Sequence, residues 1–449
     1  MPERDTNGTS GTAAASRLPV PPARRNLAAA TSGHALEWYD WNVYAMMAPF
    51  FSTAFFVAGD GTSALLSSLA VFAVGFVARP VGGLVFGVLS DRLGRRTAML
   101  WSVALMAGGS LLIAVTPAYG TIGVLAPVLL VLARLAQGLS AGGEFAASAA
   151  YLVEAAPPRR KGFYSSFLYT GNAVGTLIAA AVGALLAFTL GPGLMASWGW
   201  RVPFLIGGVA AVSVGFLRRG MDETLHRPDA GTGPASTAAA PGIRHLAPLK
   251  QHRGAVFTLC GLTAGATVVY YTWVVALPAQ AIQSGRLGPA QTLLAAAVAQ
   301  VVLLLALPFV GMLADRVGTR PLLLVFTAGF TVLGVPLYAL AQTSLTGLFV
   351  SEAVGLILFS GYGATAAAVM AGLFPAGARG TGIGLPYAAT VAAFGGTAPY
   401  AGVWLADSGL DNAFAGYVSV LCAVAFVITF FRIGRPSSPA PAAQRIDAL

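Results

Sequence analysis

Charge is what this sequence has least of. Only 9 % of its 449 residues are Asp, Glu, Lys or Arg, where an ordinary soluble domain carries about a quarter. So few charges cannot cover a water-facing surface, which excludes a soluble globular protein. Cysteine is scarce as well. Cys260 and Cys422 are the only two, and both fall inside apolar runs without metal-ligand spacing, as buried thiols acting as small hydrophobes do. No Walker loop, nucleophile–base arrangement or metal-ligand cluster is visible, so no enzyme, ATP-driven pump, metal or cofactor is expected. What is abundant is apolar: hydrophobic residues make up 56 % of the chain, and there are 55 glycines, as in membrane helices that pack closely.

The stretch Gly87 to Arg96, GVLSDRLGRR, recurs as Gly311 to Arg320, GMLADRVGTR, with six of ten positions identical. The offset is 224 residues in a chain of 449, so the chain reads as two homologous halves. In both copies the motif closes one apolar run and precedes another. It is therefore a short basic loop between two hydrophobic helices, repeated in parallel.

Runs of ~20 apolar residues are long enough to span a bilayer as helices. They lie near 33–57, 66–89, 98–116, 122–147, 163–190 and 200–217, and again near 254–281, 290–313, 321–341, 346–372, 380–404 and 412–432. The expected fold is thus an all-α integral membrane protein with 12 transmembrane helices in two six-helix pseudo-symmetric bundles, at 31–217 and 254–432. Residues 1–30 read as a disordered cytoplasmic tail without a signal-peptide core, 218–253 as a cytoplasmic linker and 433–449 as a second cytoplasmic tail. If the amino terminus is cytoplasmic, 22 of the 26 basic residues fall on the inner side, Arg201 and Arg286 fall outside, and Arg79 and Arg134 lie within spans. The surplus of ten positive charges is therefore a topology signal. It predicts a multi-pass membrane protein with both termini cytoplasmic, partnered by the lipid bilayer and not by nucleic acid. A monomer is expected.

Several stretches carry a family resemblance. Span 1 contains GHALEWYDWNVYA (Gly33–Ala45), and span 2 with its loop reads RPVGGLVFGVLSDRLGRR (Arg79–Arg96). Span 4 runs through RLAQGLSAGGEFAASAAYLVEAAPPRRKGFYSSF (Arg134–Phe167). WGWRVPF (Trp198–Phe204) opens span 6, LRRGMDET (Leu217–Thr224) ends it, and FGGTAPY (Phe394–Tyr400) lies in span 11. Over almost its whole length the chain resembles the major facilitator superfamily, and within it the metabolite:H+ symporter family. The DRxGRR loop specifies only the superfamily, whereas the EWYD and QGxxxGGE stretches specify the family. Two departures concern the second half: Gly372-Leu373-Phe374-Pro375 stands where the family commonly has Glu-Leu-Phe-Pro, and Tyr387-Ala388 where it has Tyr-Asn. The resemblance implies proton-coupled symport of a small organic anion, such as a mono- or dicarboxylate, by alternating access. Its alternative is uptake of a zwitterionic osmolyte such as proline or betaine.

Ionisable groups inside a membrane are expensive and so are functional candidates. Here they are Glu37, Asp40, Arg79, Arg134, Glu144 and Glu352. Asp40 and Glu37 are neighbours on one helix face, and Arg134 sits near mid-membrane. Related facilitators pair a carboxylate in span 1 with an arginine in span 4, which the resemblance maps onto Asp40 and Arg134. Burial favours a protonated carboxyl and a nearby guanidinium favours the ionised one, so Arg134 and Asp40 can link anion binding to proton uptake. Glu37 is either a second proton site or a packing residue. Arg79 either attracts the anion or braces span 2 by holding carbonyls. Tyr39, Tyr44, Tyr169, Asn172, Tyr270 and Trp273 are candidates to line a substrate cavity around Arg134 and Arg79. His34 is expected to be solvated or hydrogen-bonded, and Glu352 is a further carboxylate near the outer end of span 10. Gating is expected of Asp91, Arg92, Arg95 and Arg96, with Glu154 as partner of those arginines. In the second copy the same role falls to Asp315, Arg316 and Arg320.

Overall fold

A computed structural model describes residues 24–434 apart from 57–60, 94, 143, 155, 158, 220–246 and 376–377. Within helices, the side chains of Asp91, Arg92, Arg95, Arg96 and Glu144 also lie outside the described set, as do most of the expected linker and tails. Every regular element among the described residues is helical. The first half comprises α1 (Arg24–Phe55), α2 (Gly61–Leu93), α3 (Arg95–Val115), the short α4 (Tyr119–Ile122), α5 (Leu125–Ala141), α6 (Glu144–Glu154), α7 (Lys161–Leu194) and α8 (Arg201–Arg219). After the short α9 (Ala247–Gln251), the second half comprises α10 (Arg253–Tyr271), α11 (Leu277–Gln283), α12 (Pro289–Val317), α13 (Thr319–Ala341), α14 (Leu345–Gly363), α15 (Ala366–Leu373), α16 (Arg379–Phe394), α17 (Ala398–Asp407) and α18 (Asp411–Arg432).

Counting α5–α6, α10–α11, α14–α15 and α16–α17 as broken single crossings, these helices make twelve crossings in two sets of six. Their limits fall close to the apolar runs of the sequence, although α1 starts at Arg24, ahead of the expected 33. Seven helices among the described residues are long and apolar enough to cross a membrane on length and composition alone. Helix α1 is not one of them, because His34, Glu37, Asp40 and Asn42 interrupt its apolar character. The breaks are local. A π-helical turn, Thr272–Ala276, joins α10 to α11, and such turns re-aim side chains at functional positions. Gly318, in the second copy of the repeated motif, has φ 87° between α12 and α13. Only glycine takes that conformation freely, so the repeated glycine is what lets two helices meet in so tight a turn.

Glycine also fixes how closely the helices approach. A Cβ on Gly138 of α5 would run into the Gly75 carbonyl and the Ala78 methyl of α2. One on Gly175 of α7 would run into the Ala35 carbonyl of α1. Without water to drive apolar association, such close packing is what holds membrane helices together. Helices α7 and α12 form the most extensive contact between the halves, with Gly162 and Gly311 backbone against backbone at one end and Gly183 near Leu293 at the other. Gly138→Val should therefore cost ~1–3 kcal/mol through overpacking, read as a lower thermal midpoint of the detergent-purified protein. Gly108→Val, where a Cβ has open space around it, should leave the midpoint unchanged.

Candidate functional site

The polar stripe of α1 faces α2, α3 and α5 in the middle of the first half. Glu37 and Asp40 are 6 % and 3 % exposed, three residues apart and so one turn apart on the helix. Asp40 is held by two donors. The Ser110 hydroxyl of α3 donates to Oδ1, and the Gln137 amide nitrogen of α5 donates to Oδ2 at 2.7 Å. The same amide nitrogen lies 3.0 Å from Ser110 Oγ, while the amide oxygen accepts from Arg134 Nη1 at 2.8 Å.

The Asp40–Arg134 pair expected from sequence is therefore not a direct ion pair, because Gln137 stands between them. Gln137 follows Arg134 by three residues and shares its helix face. Its amide offers an acceptor to the guanidinium and a donor to the carboxylate, so both charges are served by a neutral group. Helical spacing after Arg134 was the available signal for Gln137. Nothing in the sequence singled out Ser110.

Arg134 is fully buried and lies over the rings of Trp41 and Tyr44, 4.2 Å from each centroid. Its Nε and Nη2 have no hydrogen-bond partner. Arg79, from α2, covers the Trp41 ring at 4.0 Å and the Phe76 ring at 4.9 Å, with Nη2 3.7 Å from Glu37 Oε1. Its contacts are thus an ion pair and aromatic faces, and no described carbonyl is held by it as bracing would require. His34 is hydrogen-bonded, its Nε2 accepting from the Trp38 indole at 2.9 Å, and its Nδ1 lies 3.9 Å from Glu37.

The aromatic candidates separate into two groups. Tyr39 donates to the Pro203 carbonyl of α8 at 2.8 Å, Tyr44 to the Ser68 carbonyl of α2 at 2.9 Å, and Trp273 to the Ser351 carbonyl of α14 at 3.1 Å. Their polar atoms tie helices together. Tyr169, Asn172 and Tyr270 instead lie where the halves meet. Tyr270 of α10 packs edge-on against Trp38 at 5.6 Å and shares a hydrogen bond with Thr176 of α7 at 3.0 Å. Tyr169 packs against Phe359 and Tyr362 of α14. Phe145 and Tyr387 stack across the halves at 3.7 Å. Tyr362 was not singled out from sequence, and Tyr387 only beside Ala388 in a departure from the family pattern, because nothing local marks an aromatic that will face the other half. Glu352 is 1 % exposed, and neither carboxylate oxygen has a hydrogen-bond partner.

At the expected cytoplasmic end, contacts join the halves. Asp315 of α12 accepts from the backbone N–H groups of Gly162 at 2.6 Å and Phe163 at 3.0 Å, in the first turn of α7. The Arg379 guanidinium of α16 donates to Glu154 of α6 at 2.8 Å. Glu154 thus pairs with an arginine of the other half, a partner that sequence reasoning did not name. Asp91, Arg92, Arg95 and Arg96 lie outside the described side chains. Arg316 is exposed, and Arg320 donates to the Phe430 carbonyl at 2.8 Å, closing the end of α18 within its own half rather than bridging the two.

Comparison with known proteins agrees with this architecture. Residues 26–226 match the family described as "Sugar (and other) transporter". The α-ketoglutarate permease of Escherichia coli is 37 % identical over 404 residues, covering 89 % of this chain and 91 % of that protein. The proline/betaine transporter of Salmonella typhimurium is 28 % identical over 418 residues, covering 90 % and 82 %. Among solved structures, the E. coli xylose transporter in a partially occluded inward-open conformation superposes with a TM-score of 0.68 at 20 % identity, over 90 % of this chain and 97 % of that one. A D-xylose–proton symporter gives 0.69 at 19 % identity, over 90 % and 96 %. Twelve crossings in two repeated halves, the buried charges of α1 and α5, and whole-length similarity to a permease lead to one assignment: the chain is a multi-pass membrane transporter of the major facilitator superfamily and belongs to its metabolite:H+ symporter family.

Proposed function

We propose that the protein imports a small organic anion together with protons across the cytoplasmic membrane of a bacterium, as a monomer with both termini inside. The observation that carries this reading is the buried chain of Asp40, Gln137 and Arg134. Arg134 keeps Nε and Nη2 free for an anion, and a guanidinium fork takes a carboxylate bidentately. An anion on Arg134 compensates its charge and adds a negative charge near Asp40. Asp40 then binds a proton more readily, so proton and anion favour one another's binding. Glu37 and Arg79 extend the same polar stripe. Tyr169, Asn172 and Tyr270 would line the path between the halves, while Tyr39, Tyr44 and Trp273 serve the site by fixing the helices that carry it.

The name of the 37 % identical relative, an α-ketoglutarate permease, favours a carboxylate. Relatives named as proline/betaine transporters keep a zwitterionic osmolyte as the second reading. The presence of two buried arginines, Arg79 and Arg134, favours the anion. Alternating access would require the inner contacts to open, namely Asp315 on the α7 amides and Glu154 with Arg379. The pair is partly exposed and worth about 0–1 kcal/mol. A carboxylate on two backbone amides of a helix's first turn is the stronger contact.

Proteoliposome uptake under an inward proton gradient tests the coupling. Asp40→Asn should lower accumulation of α-ketoglutarate at least tenfold yet retain exchange of internal for external substrate. Undiminished accumulation in Asp40→Asn would remove Asp40 from the mechanism. Uptake of proline or betaine but no acid would establish the osmolyte reading. Gln137→Leu removes its hydrogen bonds to the charged Asp40 and Arg134, each worth ~1.5–3 kcal/mol, and should reduce gradient-driven accumulation at least tenfold. The gate has its own test. With Cys260 and Cys422 replaced, a cysteine at Ala314, buried against Gly162, should be alkylated from the inner side several-fold faster when Asp315→Asn is added. An unchanged rate would show that the α7 cap does not hold the inner face shut.

A further inference from the structure

Asp40 with Arg134 is one of two carboxylate–guanidinium units on α1. The other is Glu37 with Arg79, 3.7 Å apart and 6 % and 5 % exposed. Both guanidiniums lie against a single indole, with Cζ 4.0 Å (Arg79) and 4.2 Å (Arg134) from the Trp41 centroid. Each has the same two nitrogens, Nε and Nη2, without a hydrogen-bond partner. Buried donors left unfilled are costly and call for an explanation. Two neighbouring N–H groups on a planar fork are the shape that a carboxylate fills.

Resting on the symport reading above, we propose that Glu37 and Arg79 form a second anion-and-proton unit. The site then takes a dicarboxylate, one carboxylate on each guanidinium, together with two protons, one on Glu37 and one on Asp40.

Charge balance leads to this number. At rest the two carboxylates and two guanidiniums sum to zero. A dianion adds two negative charges, and an uncompensated charge in an apolar bundle is expensive. Two protons from the solution on the side of entry restore neutrality; one would leave a net negative charge inside the protein. Only O–H bonds form, and nothing is oxidised or reduced. A monocarboxylate fills one fork and balances with one proton.

The surroundings of the two acceptors differ. Glu37 faces Arg79 and His34, with Tyr271 of the other half nearby. Asp40 faces Ser110 and Gln137, and through Gln137 it faces Arg134, with Tyr39 beside it on α1. The two acceptors therefore differ in what holds them, and each unit takes one carboxylate of the same substrate.

Titration calorimetry of the purified full-length protein with α-ketoglutarate, in buffers of different ionisation enthalpy, counts the protons taken up per ligand bound. Two are expected for the wild type, one for Glu37→Gln, one for Asp40→Asn, and two again for Glu37→Asp, which keeps the carboxyl. A wild-type count of one overturns the proposal, and so does a count of two that persists in Glu37→Gln. Transport gives an independent reading. One pH unit across proteoliposomes should drive ~100-fold accumulation of α-ketoglutarate, tenfold for each proton, and membrane potential should not change it. Accumulation of only ~10-fold that an interior-negative potential opposes would leave proton symport standing and remove the second unit. Failure of any acid to accumulate would instead remove the symport reading itself.

Discussion

Two carboxylates and two guanidiniums buried inside an apolar bundle are the constraint to which the first half of the molecule answers. An isolated charge there costs far more than a hydrogen bond returns, so each must be met by charge, donor or aromatic face. Glu37 is met by Arg79, and Asp40 by Ser110 and Gln137. The guanidiniums are met largely by rings, with Trp41 against both of them. An aromatic face attracts a cation without offering it a hydrogen bond. This arrangement stabilises the positive charge while leaving N–H groups free for something else.

The rest of the fold keeps that cluster in register. Glycines at 75 and 138 bring α2 and α5 into backbone contact, and that closeness sets Arg79 and Arg134 beside the same indole. Tyr39 and Tyr44 fasten α1 to α8 and α2 through their hydroxyls. The halves are joined differently along their length. In the middle they meet mainly through rings, Trp38 on Tyr270 and Phe145 on Tyr387, with a neutral hydrogen bond between Tyr270 and Thr176. At the Asp315 end they meet through a carboxylate on backbone amides and one ion pair. Ring contacts lose little when they slide, whereas charged hydrogen bonds are directional and are either made or broken. Motion between the halves is thus most sharply controlled at the end where the polar contacts lie.

Most of the architecture was legible in the sequence because membrane helices are governed by composition and length. Apart from the start of α1 and the end of α6, the apolar runs match the crossings within about five residues, and the repeated ten-residue motif marks the turn that Gly318 makes. Helix α1 begins at Arg24, ahead of its expected span, because its first turns carry Arg24, Arg25, Asn26, Thr31 and Ser32, which are not apolar. The site was legible only as far as charge is. Arg79, Arg134, Glu37 and Asp40 stand out because charge in an apolar run is conspicuous. Gln137 does not stand out, since a neutral amide carries little cost in a sequence scan, yet it is the residue that joins Asp40 to Arg134. Partners across the halves were the least accessible. Glu154 meets Arg379, 225 positions away, a contact set by helix packing and not by spacing, while the loop arginines expected beside it lie outside the described side chains.

The relay through Gln137 has a consequence that a direct ion pair would not have. Separating a buried carboxylate from its guanidinium leaves two uncompensated charges at a cost of about 3–5 kcal/mol, and an arriving anion would have to overcome it. Here Arg134 gives only Nη1 to Gln137 and keeps Nε and Nη2 unfilled. An anion can therefore bind the free edge of the guanidinium while the amide bond remains. Asp40 meanwhile keeps its donors from Ser110 and Gln137, and the change it experiences is electrostatic, from the new negative charge on its neighbour. At Arg134, under the proposed coupling, no charge is left bare, because anion and proton arrive as mutual compensation rather than by rupture of a pair. An amide between acid and base thus keeps the two linked while lowering the barrier to exchange, which is what a carrier that must release its cargo on every cycle requires.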